Sequence, residues 1–218
     1  MKNMKLVSRI LIFSCGFYFA CEKTSINLAD NDKQESRVVL AGIYDSANFH
    51  IKLNPSIKIN EYEIGCLSYS GTESLDIYED GYPEFIFNSR SMLPDITGEC
   101  CDCPDDPEIS CDCWPSGRIY KYIETIDTMY QIACDLDNRA ISFGINDTIG
   151  NCTQWITGSW ITLIDIYNFP PPETIYGNWV SVDDRYLGVR KIEADTLYGW
   201  IRINLSETIE IKEMYFER

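Results

Sequence analysis

The sequence predicts an all-β protein: an antiparallel β-sandwich, jelly-roll-like, carrying a disulfide-rich loop insertion. Three observations predict it. From Arg37 onward, β-branched and aromatic residues are dense and are interrupted at short intervals by Gly, Pro, Asn and Asp, the punctuation of short strands joined by turns. Several segments alternate apolar and polar. In the cleanest, Ile201-Arg202-Ile203-Asn204-Leu205, the alternation puts Ile201, Ile203 and Leu205 on one sheet face and Arg202 and Asn204 on the other. No stretch sustains a helical period bounded by caps.

In chain order, the expected strands are 38–43, 49–53, 57–63, 75–78 and 85–88, then 118–126, 130–136, 140–145, 160–167 and 178–182. The last three, 186–194, 197–205 and 208–216, form the clearest unit. Residues 119–124 mix apolar and polar without clean alternation. Two insertions interrupt the pattern. One is the cysteine-rich stretch 92–116. The other is 169–174, whose Pro170-Pro171-Pro172 favours a stiff, extended crossover between sheets.

Upstream of the domain (37–218), residues 1–20 read as a signal peptide. Lys2, Lys5 and Arg9 form a basic start, followed by the apolar run Ile10–Ala20. Such a run rises only about 16 Å as a helix, well short of a ~30 Å hydrocarbon core. Ala20-Cys21 resembles the lipobox of bacterial lipoproteins, in which the cysteine becomes the lipidated N-terminus. Tyr18 and Phe19 are bulkier than that pattern's usual residues, and Ile12-Phe13-Ser14-Cys15 is a rival match. Cleavage without lipid, giving a secreted protein, is the alternative. Residues 21–36 are polar, acidic and poor in aromatics, as a tether would be.

Removing residues 1–20 takes three basic groups from 18 and none of the 34 acids, so the net charge moves from −16 to −19. Nucleic acid and anionic bilayers repel such a chain. Ten cysteines occur. With Cys15 in the signal and Cys21 lipidated, eight remain for disulfides: Cys66, Cys100, Cys101, Cys103, Cys111, Cys113, Cys134 and Cys152. An even set in an exported chain implies up to four bridges, in any of about 105 pairings. The competing reading of Cys100-x-x-Cys103 with Cys111-x-Cys113 is a zinc site of four thiolates. The second pair is one residue short of a zinc knuckle, and the compartment is oxidising.

Asp76, Asp80 and Glu84, around Gly81, are spaced like a short calcium loop, and hard Ca²⁺ takes several oxygens from such a turn. Calcium is the one cofactor the sequence suggests. Tyr78 stands where a third ligand belongs, and a plain turn at Asp80-Gly81 is the alternative. Catalytic motifs are absent: there is no nucleophile elbow, zinc-protease helix, phosphate loop or dinucleotide fingerprint. The single histidine, His50, reads as a sheet-face residue. Trp155, Trp160, Trp179 and Trp200 read as core.

Tyr186-Leu187-Gly188-Val189-Arg190, Tyr198-Gly199-Trp200-Ile201-Arg202 and Met214-Tyr215-Phe216-Glu217 together resemble the ending of exported bacterial surface proteins that have no assigned activity. Leu197 stands where that family usually carries histidine. The likeness covers about a third of the chain and implies location more than chemistry. Asp-Ser/Thr-apolar triplets at Ser46, Thr128, Thr148 and Thr196 resemble an O-glycosylation consensus of Gram-negative bacteria rich in such lipoproteins. Turn composition is the plainer explanation.

The function expected is that of a non-catalytic lipoprotein, anchored by its N-terminal lipid to the outer membrane or cell surface. It would bind a glycan or protein ligand, or serve the envelope structurally. The alternative is an exported carbohydrate-active enzyme with paired carboxylates.

Overall fold

The computed structural model describes residues 38–65, 67–93, 117–150, 154–158, 160–168, 174–180, 182–206 and 208–218. Residues 34–218 form one compact unit. The signal segment, Cys21, the tether, residues 94–116 of the cysteine-rich insertion and the triple proline lie outside the described residues. So do Cys66, Cys100, Cys101, Cys103, Cys111, Cys113 and Cys152.

Among the described residues there are fifteen strands and no helix. In chain order they are β1 (Val39–Leu40), β2 (Phe49–Lys58), β3 (Tyr62–Gly65), β4 (Ser68–Leu75), β5 (Phe85–Met92), β6 (Gly117–Thr125), β7 (Tyr130–Cys134), β8 (Ser142–Phe143), β9 (Thr148–Ile149), β10 (Gln154–Ile156), β11 (Ile161–Asn168), β12 (Thr174–Tyr176), β13 (Arg185–Ile192), β14 (Thr196–Asn204) and β15 (Glu210–Phe216).

Two sheets make the sandwich. The six-stranded sheet runs β12-β11-β6-β5-β4-β3. The seven-stranded sheet runs β10-β7-β13-β14-β15-β2, with β8 also pairing β13. Their named pairings are all antiparallel. The inner faces share one core. Phe85, Phe87, Ile123, Ile161 and Leu163 come from the smaller sheet, and Ile132, Leu187, Val189, Ile201, Ile203 and Met214 from the larger. The predicted split of Ile201, Ile203 and Leu205 from Arg202 and Asn204 is observed.

A second, smaller core lies on the outer face of the larger sheet. There the two-stranded β1–β9 ribbon brings Val39 and Ile149 against Tyr186, Trp200 and Tyr215. Gly188 makes this cover possible, because a Cβ there would meet Phe143 at 2.9 Å. Trp200 donates its indole N–H to the Ile43 carbonyl at 3.1 Å, satisfying its one polar atom on burial.

Four expectations need correction. β2 is one strand across Asn54-Pro55, not two; it tolerates the proline as the edge of its sheet. β4, a serine-rich segment, is a full strand ending at Leu75, and residues 76–78 leave it as a loop. Among the described residues of the expected strand 178–182, 178–180 and 182 are not in a strand. Trp160, expected in the core, is 58% exposed.

Candidate functional site

β6 sits in the middle of the six-stranded sheet, between β5 and β11. Its odd residues face the core and its even residues face outward, which turns its apparent polarity inside out. Lys121 points inward and is only 4% exposed, while Tyr120 and Tyr122 point outward. On the outer face the rings of Tyr120 and Tyr122 stack at 4.9 Å, and Trp160 stacks on Tyr122 at 4.6 Å with an interplanar angle of 15°.

Trp160 reaches this position from a left-handed backbone, φ 67°, a conformation uncommon for a bulky residue and worth about 1–3 kcal/mol of strain. The preceding turn is braced: Gly158 N–H donates to Thr125 Oγ1 at 2.7 Å and Gly158 C=O accepts from Thr125 N–H at 2.9 Å.

The row of rings continues across β11 and β12. Arg118 lies over the rings of Tyr120 and Tyr167, at 5.0 and 4.4 Å. Its guanidinium forks onto both oxygens of Asp165 at 3.0 Å. That bond holds the Arg118 proton even more firmly than usual and neutralises the Arg118 charge. Tyr167 meets Tyr176 edge-on at 6.3 Å. On the other flank, Asn88 stands directly opposite Tyr122. It accepts from Thr72 at 2.9 Å and donates to Glu124 at 3.1 Å.

Between the sheets lies a cavity of about 650 Å³, with Ile119, Ile164, Ile166 and Val182 on its walls beside Lys121, Glu61 and Asp183. Burial lowers the Lys121 ammonium pKa, and the nearby Glu61 carboxylate pulls it back up. Glu61 itself accepts the hydroxyls of Ser89 and Ser91.

The carboxylates of the three predicted calcium ligands accept backbone N–H groups of their own loop. Asp76 accepts the N–H groups of Asp80 and Gly81, Asp80 accepts that of Tyr82, and Glu84 accepts that of Ile77. Glu84 is buried, which raises its pKa against the pull of the Ile77 hydrogen bond. Tyr78 lies under the Lys191 ammonium at 4.9 Å. Among the described residues no group of three or more His, Cys, Asp or Glu side chains is placed to hold a metal.

Cys134 is buried on β7. His50 lies on the outer face of the larger sheet as expected, stacked on Tyr44 at 3.7 Å and 3.3 Å from Glu213. Ser46, Thr128 and Thr148 are exposed, and Thr196 is partly so. Asp45 and Asp127 each accept the N–H two residues on, looping the chain around Ser46 and Thr128.

Sequence reasoning did not single out Tyr120, Tyr122, Arg118 or Asp165. The usable signal was there in the Arg-x-Tyr-x-Tyr spacing, which places all three side chains on one face of a strand. Comparison with protein-family models, curated proteins and solved structures returns no match.

Proposed function

We propose that this chain is a non-catalytic, exported, lipid-anchored protein that binds an extracellular ligand through the outer face of its six-stranded sheet. The observation that carries the reading is Trp160. A large indole is held out to solvent from a strained backbone and buttressed by Tyr122. Folding alone favours neither the exposure nor the φ, and strain of this kind persists where function needs it. The acidic tether and Ala20-Cys21 fit a domain held off a membrane by a lipid. In this reading calcium is no required part of the site.

The test immobilises the protein and measures retention of a crude extracellular polymer fraction, polysaccharide and glycoprotein together. Wild type retains ligand and Trp160→Ala loses most of it. Equal retention by the two proteins rejects this binding face. Anchoring is checked separately: Cys21→Ser abolishes labelling by a fatty-acid analogue, and unchanged labelling removes the lipid assignment.

A further inference from the structure

We infer that the ligand of this face is a neutral carbohydrate, with one or two sugar rings lying on Trp160 and its tyrosine neighbours. The inference rests on the binding reading above and adds the chemical class.

Four features select that class. A pyranose ring has an apolar C–H face and a hydroxyl rim, so it pairs with an aromatic ring bordered by hydrogen-bonding groups. Trp160 and Tyr122 supply the ring surface, already stacked on each other and therefore ordered before a ligand arrives. Preorganisation of that kind reduces the entropy lost on binding.

The border supplies both donors and acceptors. Glu124 is fixed by Asn88 at 3.1 Å, and the exposed Arg90 stands opposite Tyr120 across the β5–β6 pair. Sugar hydroxyls donate and accept alike, so a border of both kinds matches them.

The electrostatics argue against charged ligands. Arg118 lies over Tyr120 and Tyr167 and is neutralised by Asp165 through two bonds at 3.0 Å, while the exposed Arg90 opposite Tyr120 shares the border with the Glu124 carboxylate. A phosphate or carboxylate drawn to Arg118 would have to displace the Asp165 carboxylate, and one drawn to Arg90 would share the border with Glu124. Nucleic bases also stack on aromatic rings, but their phosphates meet a chain of formal charge −16.

The extent of the surface fits an oligosaccharide. The aromatic row crosses β6, β11 and β12, two strand spacings or about 10 Å, and ends at Tyr176, which is 43% exposed. Among the described residues β12 is the edge strand, beyond which a chain could run on.

The test is isothermal titration of the full chain, kept in solution by a polyoxyethylene detergent, against four soluble neutral polysaccharides: a β-1,3-glucan, a β-1,4-xylan, an α-mannan and an α-glucan. At least one is expected to bind, with Trp160→Ala and Tyr122→Ala each weakening it tenfold or more. Trp160→Gly separates binding from folding: glycine accepts φ 67° without strain, so its Tm stays level or rises while binding is lost. If none of the four polysaccharides binds, or binding is unchanged in Trp160→Ala, the carbohydrate assignment is overturned. If the polymer fraction is still retained in a Trp160-dependent way, but periodate leaves that retention intact and protease abolishes it, the ligand is protein. The binding face then stands and the carbohydrate class falls.

Discussion

On the outer face of the seven-stranded sheet, Trp200 stacks with Tyr215 at 5.7 Å and meets Tyr186 edge-on at 5.1 Å. On the outer face of the six-stranded sheet, Trp160 stacks with Tyr122 at 4.6 Å. The chemistry is the same, yet the outcomes are opposite. The chain folds its own β1–β9 ribbon over the first cluster, leaving Trp200 0% exposed, while Trp160 stays in solvent. The difference shows that aromatic stacking on a sheet face is not in itself a sign of function. What distinguishes the open cluster is that nothing described covers it and that its tryptophan sits on a strained backbone.

The outward-facing aromatic residues of the C-terminal motif, Tyr186, Tyr198, Trp200 and Tyr215, belong to the covered side. Gly199 leaves room for the neighbouring strand, because a Cβ there would meet the Tyr215 carbonyl at 2.2 Å. Tyr198 and Glu217 exchange hydrogen bonds at 3.0 and 3.2 Å. In Tyr-Gly-Trp, Tyr198 and Gly199 therefore seat β15 against β14, and Trp200 attaches the N-terminal segment to the sheet. The rest of that outer face is occupied by charges. Arg202 bridges Glu213 and Asp184, Lys212 donates to Asp184 at 2.7 Å, and Asn204 joins them at 3.2 Å.

The comparison is broken most forcefully at Trp200. Trp200→Ala removes a fully buried ring and its bond to Ile43, and should cost about 3–5 kcal/mol in urea unfolding. A loss below about 1 kcal/mol would mean that the ribbon is not held by this side chain.

Next in size is Asp184→Asn, expected to cost about 1 kcal/mol at pH 7 for a half-exposed network. Burial alone would raise the Asp184 pKa, but bonds from Lys212, Arg202 and Asn204 hold it below the ordinary 3.8. A depressed acid contributes stability above its unfolded pKa and loses it as pH falls through the lower folded value. The difference between wild type and variant should therefore close as unfolding is measured from neutral pH to below pH 3.8. A gap that stays constant would show the contribution to be packing, not charge.

Glu84→Gln has the opposite sign. Burial raises this acid's pKa, so the folded state favours the protonated form and stability falls as pH rises above the ordinary 4.5. The amide keeps an acceptor for Ile77 N–H, and the variant should be more stable than wild type at pH 7. A lower Tm at pH 7 would reveal that the charge itself is needed, for instance by a cation in the Asp76–Glu84 loop. Adding calcium or chelator to wild type in the same melts separates those two cases.

The smallest stability effect is expected at Trp160. Trp160→Gly relieves a left-handed φ and gives up one exposed stack, so its stability should lie within about 0.5 kcal/mol of wild type. A destabilisation approaching that of Trp200→Ala would make Trp160 a structural residue and erase the contrast.

Much of the fold was legible in the sequence because it rests on local alternation. The strands that became β13, β14 and β15 pack one face on the main core and present the other partly to the covering ribbon and partly to charge; the alternation over residues 201–205 placed Ile201, Ile203 and Leu205 inward. β4 was not legible. Its serines face a side on which polarity is tolerated, and Gly71 is buried only because the chain at Asn60 crosses closely above it, 2.6 Å from where a Cβ would lie.

The candidate site was hidden for a related reason. In β6 the inward position is taken by Lys121, whose ammonium lies by Glu61 beside the cavity, and the outward positions by tyrosines. A reading that sends apolar residues inward therefore has no means of choosing the face. The sequence alone determined that this is an antiparallel β protein and which residues of its C-terminal strands build the core. The tertiary structure alone decided which tryptophan is buried and which is offered to solvent. Burial of an aromatic ring depends on what distant segment arrives to cover it, and residues 39–43 and 148–149 arrive at Trp200 and not at Trp160.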